Sequence, residues 1–319
     1  MLSFIEMWRK EAIDSLFETS FNKTFNIWKP KIQKIIKGKR ASDLFILGQH
    51  LAEIFTSTSE GGRAQGNLSA AGNSWECLVT WYLNLLMVGS RVVVIKHNRE
   101  LVPKCVSDAI TVMYGTNKSN TESDVIAIKF AEDVKDLSDL ESLMQEDGVK
   151  FKVNGQINKD IPEVKNGELN IRAIINPITE ECIKHVELAI IQCKTNWNDN
   201  AQIPMLWDMI YKAKDFKDLN IKVGSNGFSI DSMKDFSYAF ATVPTNRKIN
   251  KENIYKTSST SVLRVSKLSG GNYWGYPSES GIAMNLNEFP DKVFKINSRL
   301  LMEKNLGEIF AQDSFFRLN

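Results

Sequence analysis

His185–Val186–Glu187–Leu188–Ala189–Ile190–Ile191–Gln192–Cys193–Lys194–Thr195 is a short apolar run that ends abruptly in Gln-x-Lys. Side chains alternate along a strand, so Val186, Leu188, Ile190, Gln192 and Lys194 share one face. That face is apolar until its last two positions, then polar and cationic. A lysine on the apolar face of a buried strand has to be paired or neutralised, which marks it as a residue with a use. Upstream, Asp124–Val125–Ile126–Ala127–Ile128–Lys129–Phe130 reads as a second short apolar strand, opened by an acid. The rest of the chain can be read around these two strands.

The 319 residues fit one large domain or two modest ones, with a net charge of +2 and ordinary charged and apolar fractions. The N-terminus carries no secretory pattern and no apolar run is long enough to span a bilayer, so a cytoplasmic protein without membrane contact is expected. The four cysteines, Cys77, Cys105, Cys182 and Cys193, form no CxxC pair and read as reduced thiols. His50, His97 and His185 are scattered and form no ligand pattern. Charge is unevenly distributed. Lys23, Lys29, Lys31, Lys34, Lys37, Lys39 and Arg40 occur with no acid among them, whereas 132–147 is strongly acidic. Such a basic run is either a solvated helix face or a surface for phosphates.

Taken in order, residues near 3–20 have helical spacing, and Pro30 breaks or starts an element. Ser42–Asp43 can cap a helix running through Leu44, Leu47, Leu51 and Ile54. The stretch 57–73 is small, polar and glycine-rich. It is either a surface loop or a loop that orders against DNA, with Arg63 on a phosphate. Ser74 is expected to cap a helix from Trp75 to Val88. Glu76, Thr80 and Asn84 make a narrow polar stripe on it, predicted to face a cavity. Strands follow at 91–96 and, as strand or short helix, at 109–114. The stretch 131–180 reads as an insertion, with an acidic helix at 134–145 and then turns and short strands around Gly148, Gly155, Pro162, Gly167 and Pro177. After Lys194, a polar turn containing Asn196 leads to a helix ending near Lys214, and strands are expected near 221–224 and 236–242. The stretch 266–277 gathers glycines and aromatics into a loop. It is either a structural plug or a reader of base edges through Lys267, Asn272 and Tyr273.

An acid at one strand end and a polar-x-Lys at another resemble the PD-(D/E)XK nucleases, and the chain as a whole looks like a type II restriction endonuclease of that superfamily. The sequence departs from the motif at two places: Ser123 stands where proline is usual, and Gln192 where an acid is usual. The resemblance implies an α/β fold: a mixed central β-sheet flanked by helices, the restriction-endonuclease-like core. N-terminal helices and an insertion between the active-site strands would be added to it. One domain over 1–319 is expected, with a helical part at 1–56, a core of 74–130 and 181–245, and the insertion at 131–180. A C-terminal part at 246–319 would be open to DNA recognition. The resemblance further implies Mg²⁺ held by Asp124 and by the oxygens of Gln192 and Cys193, with Lys194 stabilising developing charge. Glu76 would match the helix carboxylate that many of these enzymes place before the first active-site strand; a first-turn acid favoured by the helix dipole is the other reading. Glu122 is a competing ligand, and Glu187 is set aside because it lies on the strand face opposite Lys194. Double-stranded DNA would be the substrate and a homodimer the working form. Lys31, Lys34 and Lys37 would contact phosphates, and a cognate DNA methyltransferase would belong to the same system without binding directly. A structure-specific or repair nuclease, a DNA-binding protein with a decayed site, and a chance match in an unrelated α/β protein are the alternatives.

Overall fold

A computed structural model describes residues 3–58, 67–96, 100–119, 123–132, 134, 151–153, 156–158, 171–195, 221–243, 273–274, 286–311 and 316–318. The N-terminal part is helical. Helix α1 (Phe4–Phe17) starts at Ser3, whose side chain accepts a hydrogen bond from the Glu6 N–H. Helix α2 (Phe21–Ile35) runs straight through Pro30, where a break or a start is expected from the sequence. Proline removes one backbone donor there, but Phe21, Phe25, Trp28 and Ile32 bury a continuous stripe on both sides of it, and that packing holds the helix. Helix α3 (Ala41–Gln49) is capped at Arg40 rather than at Ser42–Asp43. Asp43 sits inside the first turn and accepts from the Arg40 backbone N–H at 3.2 Å. The expected single helix ends at Gln49, and α4 (Leu51–Thr56) follows as a separate one. Helix α5 (Asn67–Leu86) begins well before Ser74, so 67–73 is helix and Ser74 is a buried interior position, not a cap.

Strand β1 (Val92–Lys96) and helix α6 (Lys104–Ala109) come next. They are followed by a hairpin of β2 (Val112–Tyr114) and β3 (Asn117–Ser119) and by β4 (Val125–Phe130). A second hairpin joins β5 (Phe151–Val153) and β6 (Gln156–Asn158), and helix α7 (Ile171–Glu181) leads to β7 (Val186–Lys194). Strands β8 (Ile221–Val223), β9 (Asp235–Thr242) and β10 (Tyr273–Trp274) and helices α8 (Phe289–Phe294) and α9 (Ser298–Ala311) complete the described elements. Among the described residues the main sheet has five strands, in the order β1-β4-β7-β9-β10. Pairing is antiparallel from β1 to β7 and parallel from β7 to β10. The protein is therefore a mixed α/β structure with a mixed sheet flanked by helices. A smaller sheet has the order β3-β2-β8.

Strict alternation divides the sheet between two cores. Val92, Val94, Val125, Ala127, Ala189, Ile191, Cys193, Ala239 and Ala241 face a layer built from α2 to α5, α8 and α9. Val93, Ile95, Ile126, Ile128, Val186, Leu188, Ile190 and Tyr238 face α6, α7 and the first half of α1. Two expectations change here. Helix α7 contains Pro177, where a turn is expected, and its Ile171, Ile174, Ile175 and Ile178 belong to the second core, so this part of 131–180 packs against the sheet. Helices α8 and α9, unanticipated in the sequence, contribute Phe289, Phe294, Met302 and Ile309 to the first core. Of the expected helix over 134–145 only Val134 is described, as a buried position outside any helix; the rest of it and the helix ending near Lys214 lie outside the described residues.

The outer edge of β1 is closed by side chains. Asn84 Oδ1 accepts from the Val94 N–H at 3.0 Å, and Asn84 Nδ2 donates to the Val94 carbonyl at 2.6 Å and to the Thr80 carbonyl at 3.0 Å. One amide thus does for the edge what a further strand would do. Buried Arg9 of α1 lies beside it. Its guanidinium donates to both oxygens of Glu6 at 2.9 and 3.0 Å, to Asn84 Oδ1 at 3.4 Å and to the Ser90 carbonyl at 3.3 Å. Gly89, with φ +76°, turns the chain between α5 and β1 and donates its N–H to Glu6 Oε1 at 2.9 Å. The polar stripe of α5 therefore does not line a cavity: Thr80 and Asn84 are fully buried against α1 and β1. Asn84→Leu keeps the branched shape of the side chain but leaves both Val94 backbone groups without their side-chain partner. We expect a loss of about 2–4 kcal/mol, read as a lower denaturant midpoint; an unchanged midpoint would mean that the edge is satisfied without the amide.

Candidate active site

The register of β4 against β7 creates the site. Val125 pairs with Ile191 at the end of the ladder, so Asp124, which directly precedes β4, arrives opposite Gln192. Gln192 Nε2 and the Cys193 backbone N–H both donate to Asp124 Oδ2, each at 2.7 Å. A shared anionic acceptor at that distance makes both bonds charge-assisted and pins the carboxylate to β7. Alternation from Ile126 and Ile190 carries Asp124, Gln192 and Lys194 onto one face of the sheet, as the sequence pattern implies. The N–H and C=O of one strand residue point to the same side. Cys193 therefore turns its carbonyl as well as its N–H toward β4, whereas Lys194 turns toward β9, where its carbonyl accepts from the Val243 N–H at 3.0 Å. Lys194 stands opposite Thr242 in the parallel ladder.

The other face of the same sheet end carries a second acid–base pair. Glu76 of α5 and Lys96 at the end of β1 form an ion pair at 3.3 Å, both about a quarter exposed at 21% and 24%. Lys96 is opposite Val125, one position from Asp124. Sequence reasoning misses it, although a signal exists: β1, like β7, is an apolar run that ends in lysine. The Cys193 thiol lies between the two pairs. Burial pushes it well above its ordinary range, the Asp124 and Glu76 carboxylates add to the rise, and Lys194 opposes it. Burial likewise pushes the neighbouring Cys77 thiol up to about 12, with Lys96 acting against the shift. All four cysteines are buried and none forms a disulfide, in line with the sequence reading of reduced thiols.

The structure thus brings together Asp124, Gln192, Cys193 and Lys194, with Glu76 engaged by Lys96 on the opposite face. Glu187 is at the far end of β7, roughly 23 Å from Lys194 at 3.3 Å per residue, held by Lys129 at 3.0 Å and Lys234 at 3.6 Å. Lys31, Lys34 and Lys37 are exposed on or just beyond α2, which packs on α4 and α5 in the layer over the sheet face away from Asp124. The neighbouring Lys39 instead lies 5.3 Å from the centre of the Phe310 ring, and Arg40 pairs with Asp43. Tyr273 and Trp274, expected in a loop, pair in parallel with Phe240 and Ala241 as an edge strand. Arg63, Glu122, Asn196, Lys267 and Asn272 lie outside the described residues.

Among the described residues no group of three or more His, Cys, Asp or Glu side chains could hold a metal ion. The donors at the site are of a different kind: one carboxylate, one backbone carbonyl and one amide, all offering oxygen. That set suits a hard cation such as Mg²⁺, which needs only one or two carboxylates when substrate phosphate and water complete its shell. The Gln192 amide presents its nitrogen to Asp124. In comparisons with known proteins, no family model and no curated protein matches the chain.

The contact between Gln192 and Asp124 makes a direct prediction. Gln192→Glu puts two carboxylates at hydrogen-bond distance, where they share one proton and one of them titrates at a raised pKa. A carboxyl group whose folded pKa lies above its unfolded value loses its contribution to stability as pH rises through the folded pKa. The variant should therefore melt close to wild type near about pH 4–5 and progressively below it toward about pH 8. A constant difference over that range would mean that the two carboxylates stand apart.

Proposed function

We propose that the chain is a Mg²⁺-dependent endonuclease that hydrolyses phosphodiester bonds of double-stranded DNA, with type II restriction cleavage as its form. The observation that carries this reading is Asp124 held by Gln192 and the Cys193 N–H, with Lys194 next on the same face. The mixed sheet flanked by helices suits a restriction-endonuclease-like core. Mg²⁺ bound at Asp124 would lower the pKa of a water and neutralise charge on the scissile phosphate. Asp124 and the Cys193 carbonyl would orient the ion. Lys194 would hold the attacking water and face the negative charge that builds on the phosphoryl oxygens. Glu76 and Lys96 would support the sheet end and hold it in place. Cutting both strands of a palindrome would require a second copy, so a homodimer belongs to this reading, as does a cognate methyltransferase that protects the same sequence.

A DNA-binding protein with a decayed site is the second reading. It is favoured by one observation: Gln192 is neutral and donates to Asp124, so that among the described residues the Asp124–Gln192–Lys194 cluster holds one carboxylate. Lys194→Ala and Asp124→Asn separate the two readings. Each folded variant should lose Mg²⁺-dependent cleavage of plasmid DNA by about 10²-fold or more, while Lys194→Ala leaves DNA affinity nearly intact. Absence of cleavage by the wild type on a broad set of DNA sequences would favour the decayed reading; near-normal cutting by Lys194→Ala would remove the proposed chemistry.

The exposed lysines of α2 give an independent test of the DNA partner. Neutralising Lys31, Lys34 and Lys37 together should weaken binding to all sequences alike. It should also flatten the dependence of log K on log salt by about 0.9 for each phosphate that the variant no longer neutralises. An unchanged slope would return this helix to a plain solvated face.

A further inference from the structure

Beyond Lys194, the same face of the sheet carries a hydroxyl that the fold does not use. Thr242 is fully buried, and its Oγ1 makes no hydrogen bond. Ala239, Ala241 and Val243 point to the α5 side, so Thr242 points to the face of Asp124, Gln192 and Lys194. It stands opposite Lys194 in the β7–β9 ladder, about 5 Å away between backbones. A buried hydroxyl without a partner costs stability, roughly 1–3 kcal/mol, and valine has the same shape without that cost. The hydroxyl is also not an alternative anchor for the strand, since the neighbouring Val243 N–H already pairs with the Lys194 carbonyl.

We propose that Thr242 is an anion-contacting residue of this site, its hydroxyl donating a hydrogen bond to the phosphoryl oxygen that Lys194 neutralises. The sheet end is then polarised across its strands. The acid on β4 lies at one side, the amide of Gln192 in the middle, and an ammonium and a hydroxyl at the β9 side. A phosphate bridging from Lys194 toward Asp124 meets donors at one end and cation-binding oxygens at the other. Thr242 adds a donor without adding charge, so it fixes the orientation of the tetrahedral anion where lysine alone supplies a point charge. This deepens the nuclease reading and rests on it for the identity of the anion as a phosphodiester.

The test uses Thr242→Val and Thr242→Ser in the full chain, with inorganic phosphate as the binding probe in an NMR titration and duplex DNA as the cleavage substrate. Thr242→Val should keep or raise the melting temperature, weaken phosphate binding roughly three- to tenfold and slow any DNA cleavage. Thr242→Ser should bind as the wild type does. Equal phosphate affinity in wild type and Thr242→Val overturns the proposal, as does a wild type that binds no phosphate. A lower melting temperature with unchanged affinity also overturns it, since the hydroxyl would then hold only a structural water. If Thr242→Val loses both stability and affinity, the serine variant decides: affinity regained supports the contact, and affinity still absent makes the residue one of packing. Phosphate binding that depends on Thr242 in a protein that cuts no DNA would leave the anion site standing and remove the nuclease reading.

Discussion

The antiparallel register of β4 against β7 is the constraint on which the rest of the site depends. A slip of one residue would turn every side chain of one strand to the other face. Here both faces are covered, so a slip would exchange Ile126 and Ile128 with Val125 and Ala127 and mismatch both cores at once. The small residues Ala127, Ala189, Ala239 and Ala241 face the α5 layer, whereas larger branched ones dominate the other side. The two cores therefore differ in the depth they accept, and that difference resists the slip. With the register set, the meeting of Asp124 with Gln192 and Cys193 follows without any loop having to hold it.

The same sheet would present an open edge at β1 without the α1–α5 contacts. Asn84 supplies an amide to Val94, and Arg9, paired with Glu6, closes over Asn84. Buried ion pairs repay their desolvation only when the remaining donors are satisfied. Here the guanidinium reaches Glu6, Asn84 and Ser90, which explains how such a pair persists between two apolar cores. This arrangement also fixes the rotation of α5. With Asn84 committed to β1, the same stripe two turns earlier brings Glu76 to Lys96 at the Asp124 end of the sheet.

Much of this is legible in the sequence because the strands alternate cleanly. The period of β7 identifies the face shared by Gln192 and Lys194, and the acid before β4 identifies its counterpart. The departures have particular causes. Pro30 and Pro177 look like breaks because the backbone cost of proline is local and visible, whereas the packing that offsets it comes from residues far away in the chain. The stripe Glu76–Thr80–Asn84 suggests a cavity because polarity on an apolar helix has two explanations. The second, an amide serving a strand edge, depends on a partner that no periodicity reveals. Lys96 and Thr242 escape for a similar reason: each acquires its meaning from a partner on another element, Glu76 of α5 for Lys96 and Lys194 across the ladder for Thr242.

The neutral Gln192 changes what the site is before anything binds. With an acid at that position, two carboxylates would face each other across the ladder, and the folded protein would need a cation or a proton between them. The amide replaces that repulsion with a 2.7 Å hydrogen bond, so the side chain of Asp124 is oriented in the protein alone. The consequence is a weaker electrostatic hold on a cation, because one formal charge rather than two is directed at it. On the proposed reading, such a site would gain most of its cation affinity only when an anionic substrate arrives to supply further oxygens and charge. Lys194 and the buried hydroxyl of Thr242 lie on the side from which that anion would be held. On that reading, a preorganised acid, weak intrinsic cation binding and a separate anion-facing edge would together favour a ternary assembly, in which cation and phosphate each stabilise the binding of the other.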